Sequence, residues 1–177
     1  MENQNQIIIP QPVTPIKDIA PVGRTYTKIT NATCDCRTIR ILKNLLSGRF
    51  GELTGIHSYL FQNIISNGIN QNLANALNNL SLEELLHANL LGNAILNFGG
   101  TPRFSNGQGT FWSGRNVNYQ TDQNSFIRSN ISREERSIRD YEDAIARVNN
   151  ESLRQLLREI IEDKRQHIII LNSFLKN

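Results

Sequence analysis

The amino-acid sequence predicts an all-α fold: a four-helix bundle with one long crossover and an extended N-terminal arm. Three observations carry that expectation. From Thr38 onward the apolar residues recur at alternating three- and four-residue steps in four separate stretches, the period of helices with one buried face. The first and second stretches are joined by Asn67-Gly68 and the third and fourth by Asn149-Asn150, turn formers that make each pair an antiparallel hairpin. Between the hairpins runs a segment from Gly99 to about Thr121, full of Gly, Asn and Pro and long enough to travel the length of a bundle.

The first element is the arm, residues 1–37. Pro10, Pro12, Pro15 and Pro21 punctuate it and no helical period is present. Ile7-Ile8-Ile9 and Thr25-Tyr26-Thr27-Lys28-Ile29 are candidates for short strands, because β-branched and aromatic residues suit a pleated surface. The arm has too little apolar material to fold alone, so docking on the bundle or on another subunit is what would hold it. It ends on the only cysteines, Cys34 and Cys36. Their one-residue separation suits neither a mutual disulfide nor a zinc site. They read first as two ordinary thiols, and more sharply as cross-links between neighbouring subunits in an oxidising setting.

The bundle covers residues 38–177. Its first helix is expected over about 38–66, with Leu42, Leu45, Leu46, Leu53, Ile56 and Leu60 inward. The second is expected over about 70–98 through Leu73, Leu77, Leu80, Leu91, Ala94 and Phe98. The third covers about 122–148 through Ile127, Ile131, Ile138, Ile145 and Val148, and the fourth about 150–175 through Leu153, Leu157, Ile160, Leu171 and Phe174. Trp112 is expected to pin the crossover to the bundle.

Each apolar stripe is interrupted by residues that a plain core excludes. Glu52 falls between Leu45 and Ile56, Glu84 and His87 between Leu80 and Leu91, Glu134 between Ile131 and Ile138, and Lys164 and His167 between Ile160 and Leu171. All lie near mid-helix, so they meet at one level. Burying isolated charges is costly unless they are paired or bound to metal, and a cluster of carboxylates and imidazoles is met most simply by a cation. The Glu84-x-x-His87 spacing puts both side chains on one face, about one turn apart.

Plainer roles are read for other residues. Ser81 with Glu84 has the form of a capping box, but the apolar stripe continues upstream of it. His57 points off the common face and reads as a structural or surface histidine. Tyr59 and Tyr141 are core residues first and hydrogen-bond donors to the carboxylates second. Glu83, Glu135, Glu142, Glu159 and Glu162 read as a solvated face.

The totals bound the function. A chain of 177 residues has room for one domain with a full core. The net charge is +3 from 19 basic and 16 acidic residues, interspersed rather than gathered in a block, which argues against a nucleic-acid partner. No apolar run reaches the length that crosses a bilayer. The polar Met-Glu-Asn-Gln-Asn-Gln start lacks the form of a secretory signal, so a cytoplasmic location is expected.

Glu52 is followed seven residues later by Tyr59, Glu134 is followed likewise by Tyr141, and Glu84-Leu-Leu-His87-Ala-Asn-Leu-Leu-Gly stands in the second helix. On these motifs nearly all of residues 38–177 resembles the ferritin-like superfamily, near its bacterioferritin, rubrerythrin and manganese catalase branches. The resemblance implies a two-metal carboxylate site of iron or manganese, and by position Glu52, Glu84, His87, Glu134 and His167 carry over as ligands. Lys164 departs from the pattern, standing where the family places the fourth-helix Glu. Three carboxylates with a protonated Lys164 leave two negative charges, which one divalent ion neutralises; the ammonium can therefore replace one metal or both. Manganese catalases, as a family, take only the His from the fourth helix and carry an Arg before the third-helix Glu, as Arg133 precedes Glu134 here. Asp163 is a candidate substitute carboxylate.

Two functions follow as expectations. The first is a metalloprotein whose iron or manganese centre, of one or two ions, reacts with peroxide or dioxygen, with Lys164 orienting or protonating bound peroxide as a catalytic residue. The second is a catalytically degenerate, metal-free structural subunit, Lys164 replacing the metal, that assembles as a homo-oligomer or filament through residues 1–37 with Cys34 and Cys36 as cross-links. The resemblance extends to ferritin-like proteins of spore-forming bacteria, so the second implies a coat, spore or cell-surface assembly.

Overall fold

A computed structural model describes residues 25–175. Its helices are α1 (Cys36–Ser47), α2 (Glu52–Ser66), α3 (Gln71–Asn97), α4 (Gln123–Arg147) and α5 (Glu151–Asn172), with one short 3-10 turn at Gly114–Asn116. Four of the five begin on an Asp or Asn whose side chain accepts a backbone N–H: Asp35 from Arg37, Asn70 from Leu73, Asp122 from Ser125 and Asn150 from Leu153. Each such cap satisfies one of the N–H groups that a helix start leaves without an intrahelical acceptor.

The first bar of the bundle corrects the sequence expectation. Periodicity predicts one helix over 38–66, but the chain forms two, α1 and α2, parted at Gly48-Arg49-Phe50-Gly51. The cause is close backbone approach. A Cβ on Gly48 would lie 2.3 Å from the Asn44 carbonyl oxygen, and one on Gly51 would lie 2.4 Å from that of Leu45. Only glycine fits a chain folded this tightly on itself. The apolar steps conceal the break because Leu42, Leu45, Leu46 and Leu53 face inward on both sides of it. Beyond it the phase is reset: Leu60, expected inside, is 44% exposed, and Ser58, Tyr59 and Gln62 are buried instead.

The core falls into two apolar clusters at opposite ends. One joins Leu42, Leu45 and Leu46 of α1 to Leu91, Ala94 and Ile95 of α3, Tyr141 and Ala144 of α4, and Leu153, Leu157 and Ile160 of α5. The other joins Tyr59, Leu73, Leu77, Leu80, Phe126, Ile127 and Leu171. Between the two, on every bar, sits a polar layer of Glu52, Glu84, His87, Glu134, Lys164 and His167, all fully buried. The apolar ends pack the four bars; the middle is held by charge.

The crossover tracks the α1–α2 bar from end to end. Gly107 N–H donates to Asn44 Oδ1, Trp112 Nε1–H to Thr54 Oγ1 at 3.0 Å and Asn118 N–H to Ser58 Oγ; past its end, the α3 cap Asn70 donates through Nδ2–H to Oε1 of Gln123, the first residue of α4. Trp112 thus pins the crossover as expected, its ring also lying 4.5 Å from that of His57.

The expected strand at Thr25–Ile29 does not form, and no strand is present among the described residues. That segment has no strand partner among the described residues and spends its polar groups on α5 instead. Thr27 N–H and Oγ1–H donate to Glu159 at 2.8 and 2.7 Å, Thr30 N–H donates to Ser152 Oγ, and Tyr26 and Ile29 pack on the first apolar cluster. This part of the arm therefore docks on its own bundle. The expected strand at Ile7-Ile8-Ile9 lies outside the described residues. No helix among them is long and apolar enough to cross a membrane.

Candidate metal centre

The break at Gly48–Gly51 decides where the first carboxylate stands. Glu52 is the first residue of α2, not a mid-helix residue as the sequence suggests. A carboxylate there sits at the positive end of the helix dipole, which favours its charged form. Tyr141 Oη–H from α4 donates to Glu52 Oε1. That contact leaves Glu52 Oε2 facing the middle of the layer.

The remaining groups converge as the stripes imply. Lys164 Nζ lies 3.0 and 3.1 Å from the two oxygens of Glu84, 3.2 Å from Glu52 Oε2 and 3.6 Å from Glu134 Oε2. Glu134 Oε1 accepts from Tyr59 Oη at 2.5 Å and from Arg133 Nη2 at 2.6 Å. The same Nη2 is 3.6 Å from Glu84 Oε1. Gly55 makes room for this: a Cβ there would lie 2.7 Å from Arg133 Nη1 and 2.9 Å from Glu84 Cδ.

The two imidazoles are arranged alike. Each turns Nδ1 into the layer and Nε2 outward to a further carboxylate. His87 Nδ1 is 3.7 Å from Glu52 Oε2, and its Nε2 is 3.2 Å from Asp163 Oδ2. His167 Nδ1 is 3.3 Å from Glu134 Oε1, and its Nε2 is 3.0 Å from Glu83 Oε2. The rings stack with centroids 6.0 Å apart.

Burial opposes every charge here, and the neighbours overrule it. Burial would raise the Glu52 carboxyl, but the Lys164 ammonium holds it far below the usual carboxylate range. Burial likewise acts upward on Glu134, and Arg133 and Lys164 bring it below its ordinary value. Burial would lower Lys164, and Glu52, Glu84 and Glu134 raise it instead. Burial would lower both imidazoles; Asp163 and Glu52 raise His87, and Glu134 and Glu83 raise His167. These are paired charges in the dry interior, where removing one partner strands the other.

Among the described residues three sets of donor atoms lie within 4.8 Å of one another: Glu52, Glu84 and His87; Glu84, Glu134 and His167; and Glu83, His87 and Asp163. The first two share Glu84. A metal ion fits this donor set on two observations. His87 Nδ1 and Glu134 Oε2 are buried without a hydrogen-bond partner among the described residues. Moreover, an imidazole that offers one nitrogen inward and gives the other to a carboxylate has the orientation of a metal-ligating histidine.

Several residues depart from the sequence reading. Glu83, expected on a solvated face, reaches back to His167, and Glu159 holds Thr27 of the arm. Asp163 stands behind His87 rather than swinging into the layer. Arg133 was legible only as the neighbour of Glu134, yet its guanidinium is buried against Glu134 and Glu84. No periodicity marks Glu83 or Arg133, since each adjoins a residue of the common face. His57 does lie off that face, its Nδ1 on the Leu53 carbonyl oxygen.

A four-bar bundle cut at mid-height by buried carboxylates and imidazoles is the architecture of the ferritin-like dimetal-carboxylate proteins. The chain belongs to the rubrerythrin family, whose sequence profile matches residues 43–175. Among solved structures it is similar to KatB, a manganese catalase from Anabaena PCC7120, at 21% identity with a TM-score of 0.77 over 82% of this chain and 74% of that one. It is also similar to Desulfovibrio desulfuricans bacterioferritin, described with a diiron site, at 23% identity with a TM-score of 0.64 over 77% of each chain. Mycobacterium tuberculosis bacterioferritin BfrA aligns at 20% identity with a TM-score of 0.68 over 80% of this chain and 85% of that one. Identities this low establish the fold alone. No curated protein sequence matches the chain.

Proposed function

We propose that the protein is a ferritin-like metalloprotein that binds iron or manganese at Glu52, Glu84, His87, Glu134 and His167 and reacts with peroxide or dioxygen. The observation that carries this reading is the shared orientation of His87 and His167, each with Nδ1 among glutamates and Nε2 on Asp163 or Glu83. When bound, the metal supplies electron transfer and Lewis acidity. The chain supplies the rest. Tyr141 and Tyr59 each hold one oxygen of a glutamate, fixing which oxygen faces the centre. Asp163 and Glu83 set the imidazole tautomers. Lys164 keeps a proton at Nζ in a layer closed to water, where it can orient peroxide or protonate it as a catalytic residue. The family membership and the fold neighbours support the same reading.

The test is elemental analysis of the full chain produced with iron and manganese supplied, joined to peroxide turnover. Bound metal near stoichiometry with turnover is expected. Protein that retains neither metal removes the reading.

One observation favours a second reading. Lys164 Nζ reaches all three central glutamates and Arg133 pairs with two of them, so buried cations offset most of the cluster's charge without a metal. On that reading the chain is a structural subunit of a homo-oligomer or filament, in a spore coat or cell-surface assembly, joined through the arm and cross-linked by Cys34 and Cys36. Both thiols are free and exposed. Because residues 25–35 dock on their own bundle, the segment to delete is 1–24. An unchanged assembly size after that deletion rules out assembly through this segment.

A further inference from the structure

The two halves of the polar layer are chemically unequal. On the His87 side, Nδ1 has no hydrogen-bond partner, and Tyr141 holds Glu52 by Oε1 so that Oε2 faces the site. Among the described residues only Lys164 Nζ competes there, at 3.2 Å from Glu52 Oε2 and 3.0 Å from Glu84 Oε2. On the His167 side the glutamate oxygen beside the imidazole is already in use. Glu134 Oε1 accepts from Tyr59 and Arg133 and lies within reach of His167 Nδ1. The guanidinium also approaches Glu84 Oε1, the other oxygen of that half. Arginine does not give up its charge in a protein, so an ion entering there meets a fixed cation on its own ligand oxygens.

We infer that the layer holds a single divalent ion, on Glu52, Glu84 and His87, and that Lys164 yields to it by moving onto Glu134 Oε2. This rests on the metal reading above and narrows it to one half of the site. Glu134 Oε2 is the second buried atom of the layer's glutamates and imidazoles without a hydrogen-bond partner, and it stands 3.6 Å from Nζ. A shift on the order of half an ångström makes a charged hydrogen bond there. One displacement thus satisfies both orphaned atoms: the ion takes His87 Nδ1, and the ammonium takes Glu134 Oε2.

The charge balance agrees. Among the described residues the layer and its flanks hold five carboxylates, Glu52, Glu83, Glu84, Glu134 and Asp163, against Lys164 and Arg133. One divalent ion brings the positive charges to four. That leaves one negative charge; a second ion would leave one positive charge, so one ion is accommodated without an added anion and two call for one. Lys164 and Arg133 together take the place of the second metal.

The experiment uses the full chain, stripped with a chelator and titrated with manganese(II) under argon. Bound metal is counted by elemental analysis after dialysis, and its spin state is read by electron paramagnetic resonance. One manganese per chain is expected, with the six-line spectrum of an isolated ion. His87→Gln is expected to lower its affinity at least about tenfold, and His167→Gln less than about threefold. Two ions with a coupled spectrum overturn the inference but leave the metal reading standing; no retained ion overturns both. Equal losses in the two variants, or a larger loss in His167→Gln, also overturn it. Wild-type crystals grown with manganese give a readout that needs no variant. A single anomalous peak against Glu52, Glu84 and His87 supports the inference, and a peak beside Glu134 and His167, or between Glu83 and Asp163, refutes it.

Discussion

Tyr26 Oη donates to Asp163 Oδ2 at 2.8 Å across 137 residues of sequence, and that same oxygen lies 3.2 Å from His87 Nε2. The tyrosine ring also meets the His87 ring edge-on, with centroids 6.2 Å apart. The arm therefore reaches the back of an imidazole whose front faces the carboxylates. Docking of the arm and orientation of His87 are one structural arrangement, carried by a single carboxylate.

Asp163→Asn is expected to weaken manganese binding by roughly 10- to 100-fold, because an amide no longer fixes the His87 tautomer or strengthens its Nδ1 as a donor. Tyr26→Phe leaves Asp163 in place and costs only a few-fold. Calorimetric titration of the two variants checks the order. Affinities equal to wild type in Asp163→Asn would show that His87 is not a ligand.

Lys164→Met removes the cation that reaches three buried glutamates. In the presence of a chelator this strands their charges, at a cost of about 3–5 kcal/mol, which lowers Tm by roughly 10 °C in a chain of this size. Added manganese should recover most of the loss, and raise Tm further in the variant than in wild type. A variant that melts with wild type in the chelator would mean that the ammonium does not balance the cluster.

Much of this site is written in the sequence because buried charge is conspicuous. Glu52, Glu84, His87, Glu134, Lys164 and His167 stand out as polar interruptions of apolar stripes, and all six are fully buried at one level. What periodicity does not carry is the backbone. Gly48 and Gly51 part α1 from α2 through contacts with the Asn44 and Leu45 carbonyls, which no apolar spacing reports. Equally hidden are residues adjoining the common face. Glu83 and Arg133 enter the site because their side chains are long enough to turn back into it. Tyr26 enters through the arm, whose docking has no periodic signature.

The Asp122 cap gives a pH-dependent prediction apart from the metal. The Ser125 hydroxyl, and after it the Ser125 N–H, hold this carboxyl below its ordinary value. Its contribution is therefore complete above the unfolded carboxyl pKa of about 4 and is lost as pH falls through the lower folded value. Asp122→Asn keeps a capping oxygen but no charge. Its Tm should fall below that of wild type at pH 6, and the two should converge near pH 2. A gap of constant size across that range would mean that the charge of Asp122 plays no part.

Gly55 offers the sharpest test of how tightly the layer is packed. It lies on the face of α2 that Arg133 and Glu84 press against, and an added Cβ would come within 2.7 Å of Nη1 and 2.9 Å of Cδ. The guanidinium is the end of a flexible side chain, but it is buried and hydrogen-bonded to Glu134, so it cannot withdraw without breaking that bond. Gly55→Ala is therefore expected to destabilise the protein despite the better helix propensity of alanine, by about 1–3 kcal/mol of overpacking against less than about 1 kcal/mol of propensity gained. The net effect should be a Tm lowered by a few degrees, with manganese affinity reduced as Glu84 is pushed aside. A Gly55→Ala protein that melts higher than wild type and binds manganese equally well would show that Arg133 has room to move, and that the layer is looser than these distances indicate.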